Sequence, residues 1–195
     1  MNRTVIVTGI PGSGKTTVCS RVEKLAKNAG VEVNVINYGT VMMRLLQKHG
    51  RGMERDEMRR DNLDTQRKLQ KEVAGIIVEK MTQLSGLTIV DTHMSIKTPA
   101  GYLPGLPSHS LSVLKPDMLV LVEAEPREIS RRRMKDATRK RDAAVEEAVR
   151  EELLFSRFMA GASAVLAGAP VKIVINAEGK QEEAAREIFE ALEVA

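Results

Sequence analysis

The feature that most constrains this chain is a glycine-rich loop near its N-terminus, Gly9-Ile10-Pro11-Gly12-Ser13-Gly14-Lys15-Thr16. It matches the pattern G-x-x-x-x-G-K-[ST], in which glycines let the backbone approach a phosphate closely. Backbone N–H groups then form an anion nest at the start of a helix, whose dipole favours negative charge. An apolar run precedes the loop and a helical pattern follows it. We therefore predict a phosphate-binding loop in which Lys15 reaches the β- and γ-phosphates and Thr16 ligates Mg²⁺.

Five apolar segments alternate with helical patterns along the 195 residues. This alternation predicts a single α/β domain with a five-stranded, mainly parallel sheet covered by helices on both faces. The strands are expected at Thr4–Thr8, Val31–Ile36, Leu87–Val90, Met118–Val122 and Val171–Ile175. The helices are expected at Lys15–Ala29, Thr40–His49, Asp64–Leu84, Ser108–Leu114, Arg127–Lys135, Asp142–Leu166 and Lys180–Leu192. The stretch Thr92–Pro107, with three prolines and two glycines, is expected to be an irregular functional loop.

Composition narrows the class of protein. The net charge of +4 suits an enzyme that handles polyanionic nucleotides, whereas an aromatic content of 3% argues against a base-stacking platform for nucleic acid. The single cysteine, Cys19, fits a reducing cytosol and is expected to be a buried structural thiol. No apolar run approaches the length of a membrane span. We expect a cytoplasmic protein with no membrane or nucleic-acid partner.

In a parallel sheet, ligands bind outside the carboxyl ends of the strands. Asp91 ends the third strand, where a carboxylate that organises Mg²⁺ belongs, so Thr16 and Asp91 are the candidate metal ligands. The next residue, Thr92, is not an acid that could activate water, and no Asn-Lys-x-Asp motif is present. These two observations argue against a hydrolytic ATPase and a switch GTPase, respectively.

Arginines occur in separated clusters, and their planar guanidinium groups suit bidentate contacts to phosphate. The separation suggests two phosphate groups approached from two sides, as with a donor and an acceptor nucleotide. The arginines concerned are Arg44, Arg59, Arg132, Arg133, Arg139, Arg141 and Arg157.

Several segments together resemble adenylate kinases of the archaeal type, a family of phosphate-loop nucleoside monophosphate kinases. The most specific is Val90–Pro107 (VDTHMSIKTPAGYLPGLP). The others are Gly9–Thr17 (GIPGSGKTT), Ile36–Met42 (INYGTVM), Arg55–Arg59 (RDEMR), Thr138–Asp142 (TRKRD) and Val165–Ala169 (VLAGA).

The resemblance implies reversible phosphoryl transfer from MgATP to AMP, giving two ADP, in one domain over 1–195. An AMP-binding helical lobe is implied at about 37–84 and a short lid at about 131–142, without cysteines and hence without zinc. The resemblance implies that ATP contacts the residues from Gly9 through Thr17 and the segment Asn176–Gly179. AMP is implied to contact Gly39, Thr40, Arg44, Arg59, Thr92, His93, Lys97, Gly101 and Tyr102. The implied catalytic residues are Lys15, the lid residues Arg132, Arg133, Arg139 and Arg141, and Arg157.

Two other functions stay open at this point. One is another small kinase that uses a different monophosphate or a metabolite as acceptor. The residues of the acceptor wall at Lys97–Pro107 would decide between these acceptors. The other is a nucleotide-dependent binding or assembly factor with weak kinase activity, for which RNA is one candidate partner. The family resemblance also implies a homo-oligomer, with a trimer as the expected form. The apolar positions of Thr40–Leu46 and Val73–Met81 are the candidate surface for it, and ordinary core is the alternative for the same positions.

Overall fold

A computed structural model of the chain describes residues 3–50, 62–98, 101–135 and 146–194. Their elements run β1 (Arg3–Thr8), α1 (Lys15–Asn28), β2 (Val33–Asn37), α2 (Tyr38–Lys48), α3 (Leu63–Met81), β3 (Leu87–Asp91), β4 (Ser95–Thr98), β5 (Gly101–Pro104), α4 (Ser108–Leu114), β6 (Met118–Glu123), α5 (Pro126–Lys135), α6 (Glu146–Ala167), β7 (Val171–Ile175) and α7 (Gln181–Val194).

The predicted sheet is confirmed. Five strands pair in the order β2-β3-β1-β6-β7, and all four neighbouring pairs are parallel. The β1 register pairs Val7 with Asp91 on one side and with Val120 on the other. The carboxyl ends of β1, β3 and β6 therefore meet at one edge, beside the loop that precedes α1.

The three central strands, β1, β3 and β6, are buried on both faces, which explains why they read as continuous apolar runs. On one face Ile6, Val90 and Leu121 pack against residues of α2, α3 and α4, including Leu46 and Ile77. On the other face, residues such as Val5, Val7 and Val120 pack against α1 and α7, through positions that include Val22 and Ile188. Side chains that alternate along each strand thus fill two separate cores and give the predicted three-layer fold.

The stretch between β3 and α4 differs from the irregular loop that we predicted. It contains an antiparallel pair, β4 and β5, in which Ile96 lies opposite Leu103 and Lys97 opposite Tyr102. Strands of four residues are too short to produce a recognisable alternation, and Pro104 is tolerated because it ends an edge strand. The wall that the resemblance assigns to AMP is therefore built on hydrogen-bonded strands.

The surface predicted for oligomer contacts is wrong. On α2 the side chains of Met42, Leu45 and Leu46 are buried, and on α3 those of Val73 and Ile77 are buried, all in the core on one face of the sheet. An apolar stripe on a helix favours a core position as much as an interface. Within the described ranges, no helix is both long and apolar enough to cross a membrane.

Candidate active site

The phosphate loop passes so close to neighbouring backbone and side chains that two of its positions exclude any residue but glycine. A Cβ on Gly9 would lie 2.3 Å from the carbonyl oxygen of Val122. Gly14 has a φ of +86° and its Cβ would lie 2.3 Å from the Asn176 Nδ2 atom. Gly14 is also the N-cap of α1, which begins at Lys15, so its left-handed conformation leads the loop into the helix N-terminus.

A buried carboxylate lies at the centre of the site. Asp91, at the end of β3, is 3% exposed. Its Oδ1 atom lies 3.7 Å from Lys15 Nζ, and its Oδ2 atom accepts hydrogen bonds from Thr16 Oγ1 at 3.4 Å and Asn37 Nδ2 at 2.7 Å. The structure thus brings together the predicted Lys15, Thr16 and Asp91.

Thr16 and Asp91 are chemically suited to Mg²⁺, because a hydroxyl and a carboxylate are hard oxygen donors. Their side-chain oxygens lie 3.4 Å apart. Within the described parts of the chain there is no group of three or more His, Cys, Asp and Glu side chains that could hold a metal. Mg²⁺ is commonly held by only one or two protein carboxylates together with substrate phosphates, so this sparse donor set fits it.

Asn37 is a central residue that the sequence analysis did not single out. It ends β2 and caps α2, and its Oδ1 atom accepts hydrogen bonds from the Thr40 amide at 2.9 Å and the Thr40 hydroxyl at 3.0 Å. Its amide nitrogen meanwhile donates to Asp91. An Asn immediately before a helical pattern is a recognisable N-cap, but its bond to Asp91 has no local signal. Asn37 joins the buried carboxylate to the helix that carries Gly39, Thr40 and the exposed Arg44.

The hairpin β4–β5 is held between α3 and α6. Gln70 on α3 donates to the Pro104 carbonyl at 2.8 Å, and the Tyr38 hydroxyl donates to the Gln70 carbonyl at 2.7 Å. The Tyr102 ring stacks on Phe155 of α6 with a centroid distance of 4.3 Å.

The predicted AMP residues of this region therefore share one supported wall. Lys97 Nζ lies 6.0 Å from the centre of the Tyr102 ring. Gly101 starts β5 beside them, and burial raises the pKa of Tyr102. Thr92 is buried, with its amide bonded to the Val7 carbonyl at 3.0 Å, and His93 is half-buried.

Arg157 is anchored by a residue that the sequence analysis missed. Its Nε and Nη2 atoms donate to the two carboxylate oxygens of Glu123 at 2.8 and 2.5 Å. Glu123 ends β6 and is 3% exposed, whereas the Arg157 side chain is 52% exposed. The hydrogen bonds and charge of Glu123 raise the pKa of Arg157. An acid at a strand end is a visible signal, but its partner on α6 follows only from the packing.

Arg132 and Arg133 lie beside the phosphate loop, on the helix that the sequence predicts. Both belong to the last turn of α5, and both donate to backbone carbonyls of the phosphate loop. The end of α5 thus packs against the loop, and the lid over the donor that the resemblance implies stays a prediction. The remaining lid arginines, Arg139 and Arg141, and the acceptor-side Arg59 lie outside the described residues.

Asn176 follows β7 and is 2% exposed. Its Nδ2 atom donates to the Ser13 carbonyl at 2.7 Å, and its own amide donates to the Glu123 carbonyl at 2.7 Å. Its side chain therefore supports the phosphate loop. Gly179, also predicted on the donor side, takes a φ of +77° in the turn before α7 with open space around its Cα.

Comparison with known proteins places this site in a family. The family described as "AAA domain" matches residues 8–150. The adenylate kinase of Saccharolobus solfataricus is 45% identical over 190 residues, which cover 96% of this chain and 97% of the relative. The adenylate kinase of Methanocaldococcus jannaschii is 41% identical over 191 residues, with 98% of each chain covered.

Solved structures share the fold at low identity. The shikimate kinase of Acinetobacter baumannii, solved with shikimate, superposes with a TM-score of 0.57 and 14% identity and covers 100% of this chain and 94% of its own. A sugar kinase from Janibacter sp. gives a TM-score of 0.54 at 14% identity, with 100% and 96% covered. The fold is thus that of phosphate-loop kinases, and with near-full-length relatives above 40% identity the chain belongs to the adenylate kinase family, archaeal type.

Proposed function

We propose that this chain transfers a phosphoryl group reversibly between ATP and AMP, giving two ADP, at the carboxyl edge of its parallel sheet. One observation carries the proposal beyond family membership. Asp91 contacts Lys15 and Thr16 of the phosphate loop and, through Asn37, the start of α2. A nucleotide on each side of this carboxylate would have its phosphates directed at the same point.

On the donor side, the loop amides from Gly9 to Thr17 bind the β-phosphate of ATP, with the dipole of α1 favouring the negative charge. Lys15 contacts the β- and γ-phosphates. The turn that includes Gly179 lies toward the adenine. Thr16 and Asp91 would hold Mg²⁺ together with phosphate oxygens, and the bound ion would supply positive charge beside the phosphates.

On the acceptor side, AMP lies between α2 and the hairpin β4–β5. Gly39, Thr40 and Arg44 contact it from α2. Arg59, Thr92, His93, Lys97, Gly101 and Tyr102 complete the acceptor site.

The reaction needs positioning and positive charge rather than a covalent intermediate. A phosphate oxygen of AMP forms a bond to the γ-phosphorus of ATP, while the bond from that phosphorus to the β–γ bridging oxygen breaks and ADP leaves. Lys15, Arg139, Arg141 and Arg157 stabilise the charge of the group in transfer. Glu123 keeps Arg157 at the carboxyl end of β6, where the phosphates meet.

The test is the initial rate of ADP formation with MgATP and, in turn, AMP, GMP, CMP and UMP. AMP should react fastest, with two ADP formed per AMP consumed, and chelation of the metal should stop the reaction. Fastest transfer to CMP or UMP would assign another monophosphate kinase. ADP formation that does not need an acceptor would indicate hydrolysis.

The proposal includes a homotrimer in the cytoplasm. The described residues leave large apolar side chains exposed on α6 and on the edge strand β7, where burial by another copy would remove them from water. They include Leu154, Phe158, Val165, Ile173 and Ile175. Light scattering at micromolar concentration should give three times the chain mass of 21.5 kDa, and Val165→Asp should lower it. A monomer mass for the unmodified protein would contradict the assembly and leave the chemistry untouched.

A further inference from the structure

We propose that Arg133 and Asn176, assisted by Arg132, are positioning residues that hold the phosphate loop from the side opposite the nucleotide. This inference deepens the proposed function and rests on it, because it concerns the donor site. It assigns the two arginines a role through the loop, in place of direct contact with phosphate.

The three side chains donate hydrogen bonds to successive backbone carbonyl groups of the loop. Arg133 Nε donates to the Pro11 oxygen at 2.8 Å. Arg132 Nη1 reaches the Gly12 and Ser13 oxygens at 3.4 and 3.3 Å. Asn176 Nδ2 donates to the Ser13 oxygen at 2.7 Å. The strongest contacts by distance are thus those on Pro11 and Ser13.

Because the peptide unit is planar, a contact that fixes a carbonyl on one side of the loop also fixes the direction of the N–H group on the other side. In a trans peptide the C=O of one residue points away from the N–H of the next. Holding the Pro11 carbonyl therefore orients the Gly12 amide, and holding the Ser13 carbonyl orients the Gly14 amide. Among the described residues, neither amide donates to a backbone carbonyl. Both stay available for phosphate oxygens on the opposite side.

Arg133 is itself fixed by a second partner. Its two terminal nitrogens donate to Glu152 on α6 at 3.3 and 2.7 Å, and the residue is only 7% exposed. The planar guanidinium thus uses Nε for the loop and both Nη atoms for the carboxylate. Contact with a phosphate would require breaking this part-buried ion pair.

The backbone of the loop is shaped for this support. A Cβ on Gly12 would lie 3.1 Å from both Arg133 Cγ and Ile129 Cγ2, so the glycine lets α5 lie directly against the loop. Ile129 and Arg133 are four residues apart and share one face of α5. Asn176 is held in turn by two backbone hydrogen bonds. Its N–H donates to the Glu123 carbonyl, and its own carbonyl accepts from Arg132 Nη2 at 3.1 Å.

The first measurement is the dissociation constant of MgATP and of AMP, each determined by calorimetry in the full chain. Arg133→Met and Asn176→Leu should each weaken MgATP about 10- to 100-fold, the range for losing a hydrogen bond that involves a charged or buried group. AMP should change by less than about twofold, since both substitutions remove hydrogen bonds to the donor loop alone. Arg127→Met, on the exposed face of the same helix, is the matched control and should bind both nucleotides normally.

The second measurement asks whether Glu152→Gln weakens or strengthens MgATP binding, because a positioning role and direct phosphate contact predict opposite changes. Glu152→Gln loosens Arg133, so positioning predicts weaker MgATP binding, by about 3- to 10-fold as for one weakened hydrogen bond. If Arg133 touched phosphate, removing the neighbouring negative charge would strengthen MgATP binding instead. Stronger binding in Glu152→Gln, or unchanged MgATP binding in Arg133→Met and Asn176→Leu, overturns the proposal.

Arg133→Met leaves the half-buried carboxylate of Glu152 without its partner and can unfold the chain. The double variant Arg133→Met/Glu152→Met removes both charges and should fold, while still binding MgATP weakly and AMP normally. Equal loss of MgATP and AMP binding in that folded variant overturns the proposal. Failure of the unmodified protein to bind MgATP at all would refute the proposed function instead, so the two failures can be told apart.

Discussion

Asn37 offers the most informative single substitution, because its side chain connects the two halves of the site. It accepts from the Thr40 amide and hydroxyl and donates to Asp91. Asn37→Ala removes these hydrogen bonds without adding bulk. We expect a loss of stability together with a defect concentrated on AMP.

The size of the effect follows from the hydrogen bonds that the Asn37 side chain makes. An N-cap contributes about 1 kcal/mol. A hydrogen bond to a charged group contributes about 1.5 kcal/mol at the lower end of its range, which suits the partly buried pair of Asn37 and Asp91. Asp91 keeps Lys15 and Thr16 as partners. The variant should therefore lose about 2–3 kcal/mol of unfolding free energy, which lowers Tm by roughly 4–12 °C for a chain of this size.

Chemical denaturation and initial-rate kinetics of Asn37→Ala test this together. The KM for AMP should rise several-fold more than the KM for ATP, because fraying of α2 displaces the backbone around Thr40. Asn37→Ser can still cap the helix but is too short for Asp91, so it should recover about 1 kcal/mol.

Asn34→Ala is the matched control. Asn34 also lies on β2, but it donates at an exposed site to the Ser85 carbonyl at 2.9 Å. It should lose less than about 1 kcal/mol and leave both KM values unchanged. The reasoning fails if Asn37→Ala is as stable as Asn34→Ala, or if only the KM for ATP rises.

Three further predictions concern single positions. Lys15→Met should lower turnover by ~10²–10³ while the chain stays folded, since one electrostatic stabiliser of the transferred group is lost; near-normal turnover would remove Lys15 from the site. Gly105→Ala should destabilise the chain by more than about 2 kcal/mol in a denaturant titration, because its Cβ would lie 1.9 Å from the His93 carbonyl oxygen. The control Gly75→Ala, in open space on α3, should instead stabilise by about 0.5–1 kcal/mol, and equal effects would contradict the steric argument. Burial raises the pKa of the Cys19 thiol to about 12 from 9.0, so Ellman's reagent at pH 8 should label it only after denaturation. Because the unfolded chain loses this proton first, the free energy of unfolding should fall as pH rises from about 9 toward 12. Rapid labelling of the native chain would show an accessible thiol.

Much of the fold was predictable from local pattern. The loop from Gly9 to Thr16 marks a strand on one side and a helix on the other, and α1 begins at Lys15 as predicted. The three central strands of the sheet are apolar runs because both of their faces are buried, and the parallel pairing of all five strands follows from the helices between them. The hairpin at Ser95–Pro104 was missed because four-residue strands carry too little periodicity.

Local pattern predicts the phosphate loop, the layers of the fold and the placement of Lys15, Thr16 and Asp91 at one edge. These depend on residues close together in the chain or on the ends of strands, so local pattern is enough to find them. The partners of the charged and amide side chains follow only from the way the strands and helices pack.

Those partners lie far apart in the chain. Arg133 bonds to the carbonyl of Pro11, Arg157 to Glu123, and Asn37 to Asp91. Such a pair forms only after the strands and helices have packed, and one sequence holds many arginines and acids that could serve equally well. The direction in which Arg133 points, toward the back of the loop, is therefore set by how α5 packs between the loop and α6.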